Sequence, residues 1–291
     1  MASRLVQGRL QGDGVRSVRS RPPKIRRRRR AATAKDTVEA VKNADVVITL
    51  LPDGKIVKAA LEGLRKSLKP GCVIMEMSSS EPVATRALGK ASSRPESNSS
   101  THRSPVESSA PTDGSLAIMV GGADSTIDRV SALLNAMGKS IFRTGVLGSG
   151  HAMKAPQQLC VGRGLVAAVE AIAIGEKFGL KPELMTDILN VSTGRNNTTE
   201  VKLKPFIISK AFNAGFPMKL MAKDVRTADS LAHAIGVPSP LADIVAKLWD
   251  DASQALGPAA DHTAIGQYIE KMKPLSDVVA LQLSDLRFTT T

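Results

Sequence analysis

Cysteine is almost missing from this chain: two residues in 291, Cys72 and Cys160, each isolated in an apolar stretch. That excludes a disulfide framework and paired thiol ligands, and it points to a reducing compartment. The four histidines are scattered, and none stands at ligand spacing from another histidine or a cysteine, so no metal is expected. No run approaches the roughly 18 apolar residues of a membrane span, and no apolar stretch reads as a secretory signal. Also missing is the strand and G-x-G-x-x-G turn that cradles a dinucleotide. Gly8, Gly12 and Gly14 have the spacing G-x-x-x-G-x-G, with no apolar strand ahead of them.

Acidic residues are scarce only at one end. Residues 1–34 hold 11 Lys and Arg against the single Asp13, and the rest of the chain supplies only three of the thirteen net positive charges. The basicity therefore belongs to a disordered tail with five consecutive arginines, Arg26 to Arg30. The tail has no aromatic residue to stack on a base, so any nucleic-acid contact would be to phosphate and salt-sensitive. An Arg-rich, acid-poor start is also compatible with a mitochondrial transit peptide, although Pro22-Pro23 interrupts an amphipathic helix.

Order begins near Asp36. Val46–Leu51 is a continuous apolar run of the kind buried in parallel sheets. Asp53-Gly54 turns the chain into helical spacing over Ile56–Leu68, and Cys72–Met75 makes a second strand ending in Ser78-Ser79-Ser80. Strand, helix, strand with short links is a βαβ unit. Residues 92–112 break the pattern, with eight serines and three prolines in 21 positions. A strand at Leu116–Gly121, a helix over 125–137 and a short strand at Ile141–Arg143 follow. From there the chain reads as helical: a central helix over 151–178, apolar nearly all round (Ile174 included), and a later one from Leu241 to Leu256. The latter has its stripe at Leu241, Ile244, Val245, Leu248, Trp249 and Ala252.

The most informative stretch is Gly148-Ser149-Gly150-His151-Ala152-Met153-Lys154-Ala155-Pro156-Gln157-Gln158. A paired-glycine turn opens the central helix, and helical spacing puts His151, Lys154 and Gln158 on one face. That face starts at a helix N-terminus, where amide groups favour anions. It is a place to hold a carboxylate beside a proton donor.

With Ala44–Pro52, Asp113–Gly122, Ser192–Arg195 and Leu220-Met221-Ala222-Lys223-Asp224, this stretch resembles the β-hydroxyacid dehydrogenase family. The matches occur in family order. The resemblance implies an α/β Rossmann-type domain over 35–147, its first βα unit missing and 92–112 a disordered insert. An all-α domain like that of 6-phosphogluconate dehydrogenase follows over 148–285. It implies hydride transfer between NAD, or NADP, and a small β-hydroxyacid such as 3-hydroxyisobutyrate, in a cytoplasmic homodimer or homotetramer. Lys154 resembles the family's catalytic lysine. Gln157, Gln158, Lys223 and Gly150 take substrate-binding positions, and Leu51, Pro52, Ser79 and Lys223 cofactor-binding ones. The family's asparagine is replaced at Gln157, one methylene longer. The substrate loop keeps only Pro105-Val106 of its pattern.

Both departures are abrupt. Arginine runs and Ser/Pro/Arg mixtures are what GC-rich coding DNA yields out of frame, so residues 1–33 and 92–112 read as frame-shifted segments or as those of a degenerate paralogue. Two other readings stay open: a non-catalytic family remnant, and a basic-tailed nucleic-acid-associated paralogue.

Overall fold

The computed structural model describes residues 34–91, 99–103 and 116–272, which form two compact units. The first is Met1–Leu159 with Asp224–Asp243, and the second is Cys160–Lys223 with Ile244–Thr291. The compact units part between Leu159 and Cys160, inside one long helix that starts just after the glycine turn. The basic tail over 1–34 lies outside the described residues except for Ala34.

In the first unit, α1 (Thr37–Val41) starts at Asp36, whose carboxylate accepts the Glu39 N–H at 2.8 Å. Strand β1 (Val46–Thr49) then runs parallel to β2 (Val73–Glu76), with α2 (Gly54–Leu64) between them in sequence. Asp53 caps α2 by accepting the Ile56 N–H at 2.9 Å, so the expected turn is a helix N-cap. No strand precedes Val46 among the described residues. Helix α3 (Pro82–Ala91) follows β2.

Within the expected irregular insert, Ser99–Arg103 form strand β3, paired parallel to β2 and antiparallel to β4 (Leu116–Gly121). Backbone pairing needs no apolar side chain, so a serine-rich sequence can occupy a sheet position that no periodicity announces. The rest of 92–112 lies outside the described residues. Helices α4 (Asp124–Arg129) and α5 (Ser131–Met137) stand where one helix was expected, and β5 (Gly138–Gly145) runs parallel to β4. The strand order is β1-β2-β3-β4-β5. Val73, Met75, Met77, Ile118 and Val120 pack with Ile127, Val130, Leu134 and Met137 to form the core.

Helix α6 (Ser149–Phe178) begins in the first unit and continues into the second. By length and composition it is apolar enough to cross a membrane, because Val, Leu and Ile carry its hydropathy although Arg163 and Glu170 break the apolar run. Leu165, Val166, Ala168, Val169 and Ile172 are buried within the protein. The same helix was expected to be covered all round, yet Ile174 and Phe178 are 72% and 85% exposed. On α7 (Pro182–Val191), Leu184, Ile188 and Val191 are exposed too. Each helix thus keeps an uncovered apolar stripe, Ile174/Phe178 at i, i+4 and Leu184/Ile188/Val191 at i, i+4, i+7.

The second unit continues with α8 (Asn197–Val201), a π-helical stretch (Leu203–Ile208), the start of α9 (Met218–Ala234) and most of α10 (Pro240–Leu256). The buried stripe of α10 is Ala242, Val245, Ala246, Trp249 and Ala252, while Leu241 and Ile244 are exposed. The stripe is turned toward small residues, which let the fully buried Trp249 fit and donate Nε1–H to the Gly162 carbonyl at 3.4 Å. A 3₁₀ turn (His262–Ala264) and α11 (Ile265–Glu270) close the described chain. Asp261 caps that turn. Its carboxylate accepts N–H groups of Gly215 (2.7 Å), Phe216 (3.2 Å) and Thr263 (2.9 Å). Burial alone would push its carboxyl up, but the bonds from His262 and Thr263 outweigh it and hold the group well below the usual carboxylate range.

Candidate active site

Helix α6 is seated against the sheet by two glycines that have no room for side chains. A Cβ on Gly150 would lie 2.7 Å from the Met119 carbonyl oxygen, and one on Gly121 would lie 2.3 Å from Ser149 Oγ. Gly148 holds a left-handed φ of +84° that a side chain disfavours. The Thr144 hydroxyl bonds Ser149 Oγ (2.8 Å) and the Val120 carbonyl (3.1 Å). These contacts bring the first turns of α6 to the carboxyl ends of the strands, where open α/β sheets bind ligands.

A narrow recess opens there, within the first unit, bounded by Ser79, Ser80, His151, Lys154, Ala155, Gln158, Asp224 and Thr227. His151, Lys154 and Gln158 are all buried on its wall, as their helical spacing suggested. Its enclosed space is about 10 Å³, room for roughly one water-sized group. Lys154 Nζ donates to Gln157 Oε1 at 3.4 Å on the next turn. Gln157 is half-buried and lies outside the recess wall. Gln158 Nε2 donates to Asp224 Oδ2 at 2.9 Å, a charge-assisted bond between two buried side chains.

The remaining expected residues separate into two groups. Ser79 reaches the recess from the turn after β2. Leu51 and Pro52 follow β1 but do not line it, and the Leu51 N–H donates to Ser78 Oγ at 2.9 Å. Gly150 makes backbone contact with β4 rather than with the recess, so its place here is one of packing. Lys223 is half-buried, one residue before Asp224 on α9, and falls in the second unit.

Sequence reasoning passed over Glu76, Ser80, Thr85, Asp224 and Thr227. The Ser80 hydroxyl is buried on the recess wall with no hydrogen-bond partner among the described residues, and Thr49 Oγ1 at the end of β1 is buried likewise. Orphaned hydroxyls at strand ends suit a polar ligand that supplies their bonds. Glu76 left one signal, a lone carboxylate inside the apolar run Val73–Met77. Asp224 and Thr227 left another, a polar pair at i, i+3 that α9 places on one face.

Elsewhere in the first unit, His233 Nε2 lies 3.1 Å from Asp243 Oδ1, and Asp229 joins them within 4.8 Å. The four histidines gave no hint of this grouping. Burial, with the Asp243 carboxylate beside it, pushes the Asp229 carboxyl above its ordinary range.

This arrangement of sheet, glycine-seated helix and buried lysine is that of a dinucleotide-dependent oxidoreductase. The NAD binding domain of 6-phosphogluconate dehydrogenase matches residues 1–145. The NAD-binding domain of NADP-dependent 3-hydroxyisobutyrate dehydrogenase matches residues 148–269. The chain belongs to the β-hydroxyacid dehydrogenase family. It is 31% identical to the 2-(hydroxymethyl)glutarate dehydrogenase of Eubacterium barkeri over 239 residues, 80% of this chain and 78% of that one. It is 28% identical to a probable mitochondrial 3-hydroxyisobutyrate dehydrogenase of Dictyostelium discoideum, over 75% of this chain and 71% of that one. The solved structure of the Mycobacterium tuberculosis 3-hydroxyisobutyrate dehydrogenase with L-serine superimposes with a TM-score of 0.73 at 25% identity. That match covers 82% of this chain and 84% of that one.

Proposed function

We propose that this chain interconverts a small β-hydroxyacid and its carbonyl form with NAD or NADP, and that Lys154 is the acid/base group. The observation that carries the reading is a buried lysine facing two serines in a recess that admits little more than one polar group. Such a recess fits the reacting hydroxyl of a small hydroxyacid, with the rest of the molecule outside its mouth.

When bound, the nicotinamide supplies or accepts the hydride. As the carbonyl oxygen gains negative charge, the Lys154 ammonium stabilises it and gives up a proton; in the oxidative direction the amine takes the hydroxyl proton. Gln157, against the lysine, holds Nζ in place, and Gln158, fixed by Asp224, orients the substrate, while Lys223 takes its substrate- and cofactor-binding role from the family resemblance. Gly150 lets the helix start come close enough for its amides to face a carboxylate. Leu51, Pro52 and Ser79, at the strand ends, would hold the cofactor. Residues 1–34 carry no G-x-G-x-x-G turn. Each backbone bond so lost is worth about 0.5–1.5 kcal/mol, so cofactor binding is expected to be weak. Two free cysteines suit a reducing compartment, and the cytoplasm is the compartment of this reading.

The test is NAD(P)H absorbance with 3-hydroxyisobutyrate, L-serine and 2-(hydroxymethyl)glutarate at millimolar nucleotide. Turnover of at least one is expected, with Lys154→Met lowering kcat by about 10²–10⁴. No turnover and no nucleotide binding would overturn the assignment.

A further inference from the structure

On the wall of the recess, His151 makes contacts that the acid/base chemistry does not use. Its Nε2 lies 2.8 Å from Glu76 Oε2 and 3.1 Å from the Ser78 carbonyl, and its Nδ1 lies 3.2 Å from Thr85 Oγ1. All four side chains are buried. A carbonyl oxygen only accepts, so Nε2 carries a proton. Glu76 Oε1 accepts the Ser78 N–H at 2.7 Å, while Oε2 has no hydrogen bond of good geometry among the described residues. The imidazole is therefore what compensates the buried carboxylate. One ring thus joins the end of β2, the turn that carries Ser79 and Ser80, helix α3, and the helix face that carries Lys154 one turn on.

We propose that His151, paired with Glu76, is a positioning residue that fixes the Ser78–Ser80 turn against the first turns of α6 and so sets Ser79 and Ser80 opposite Lys154. The proposal rests on the reading of Lys154 as the acid/base group. A side chain whose rotamer is locked by a buried partner holds its neighbours to a fraction of an ångström, the tolerance that a proton-transfer site requires. The pair acts through the turn and the helix and touches no reacting atom.

The experiment compares His151→Gln, which keeps an N–H donor, with the double variant His151→Leu/Glu76→Met, which removes both partners and leaves no unpaired buried charge. Two readouts are taken on the full chain. One is kcat and KM in the dehydrogenase assay. The other is the rate of Lys154 acylation by mass spectrometry, relative to Lys202, which is as deeply buried but lies in the second unit. The double variant is expected to lose about 10–100-fold in kcat, with the Lys154:Lys202 labelling ratio raised several-fold. His151→Gln should recover most of both. General loosening would raise labelling of both lysines together. A folded double variant with wild-type kcat and labelling ratio overturns the proposal, as does a His151→Gln variant no better than the double. Should the double variant not fold, the two readouts on His151→Gln and Glu76→Gln decide. If the wild type turns over no hydroxyacid, the functional reading fails and the labelling ratio alone decides the positioning role.

Discussion

Gly150 carries more of the site than its missing side chain suggests. Its Cα hydrogens face the Met119 carbonyl, and a methyl group there would lie 2.7 Å from a backbone oxygen that has no room to retreat. Gly150→Ala should therefore push the first turn of α6 off β4, at a cost of about 1–3 kcal/mol. A lowered urea midpoint at unchanged m-value would show it, and a midpoint equal to wild type would refute it. At this scale the sequence was readable wherever partners lie within one helical turn. His151, Lys154 and Gln158 follow from i, i+3 and i+7 spacing alone. Glu76 and Asp224 did not, because their partners are 75 and 66 residues away, and no local pattern encodes a contact made by tertiary closure.

Elements were legible where burial imposes a period. β1 and β2 are short apolar runs, and their parallel pairing agrees with the βαβ reading. β3 was not legible, and the buried face of α10 was read at Val245, Trp249 and Ala252 but missed at Ala242 and Ala246, because alanine contributes little to a stripe judged by large side chains. The cap at Asp261 yields a prediction at this scale. Its carboxyl is held below the ordinary value, so its stabilising effect is full above the unfolded pKa near 3.9 and fades as pH falls through the folded value. Asp261→Asn should lower stability at pH 7 by about 1–3 kcal/mol, since three backbone N–H donors lose a charged acceptor. Denaturation at a series of pH values should show wild type and variant converging below about pH 4. A gap that persists or widens in acid would contradict this account.

For the whole molecule, the exposed stripes on α6 and α7 call for a cover. They are where the oligomer implied by the family resemblance is open to test. Phe178→Glu with Ile188→Glu should convert a dimer or tetramer into monomers by light scattering after gel filtration; a wild-type chain that is monomeric at micromolar concentration would argue against it. The two-domain plan was readable from the change of period near residue 147. That the compact units part inside α6 was not readable, because a helix that serves two units shows no break in its sequence.

That continuity bears on recombination between relatives. The glycine turn at 145–150 looks like the natural joint for a chimera, yet a crossover there would send His151 and Lys154 along with the helical half. Glu76, Ser78 and Thr85 would stay behind with the sheet. A hybrid joined at the turn inherits a lysine from one parent and its setting from the other. Crossovers after Leu159 that also keep Asp224–Asp243 with the sheet would transplant the recess whole.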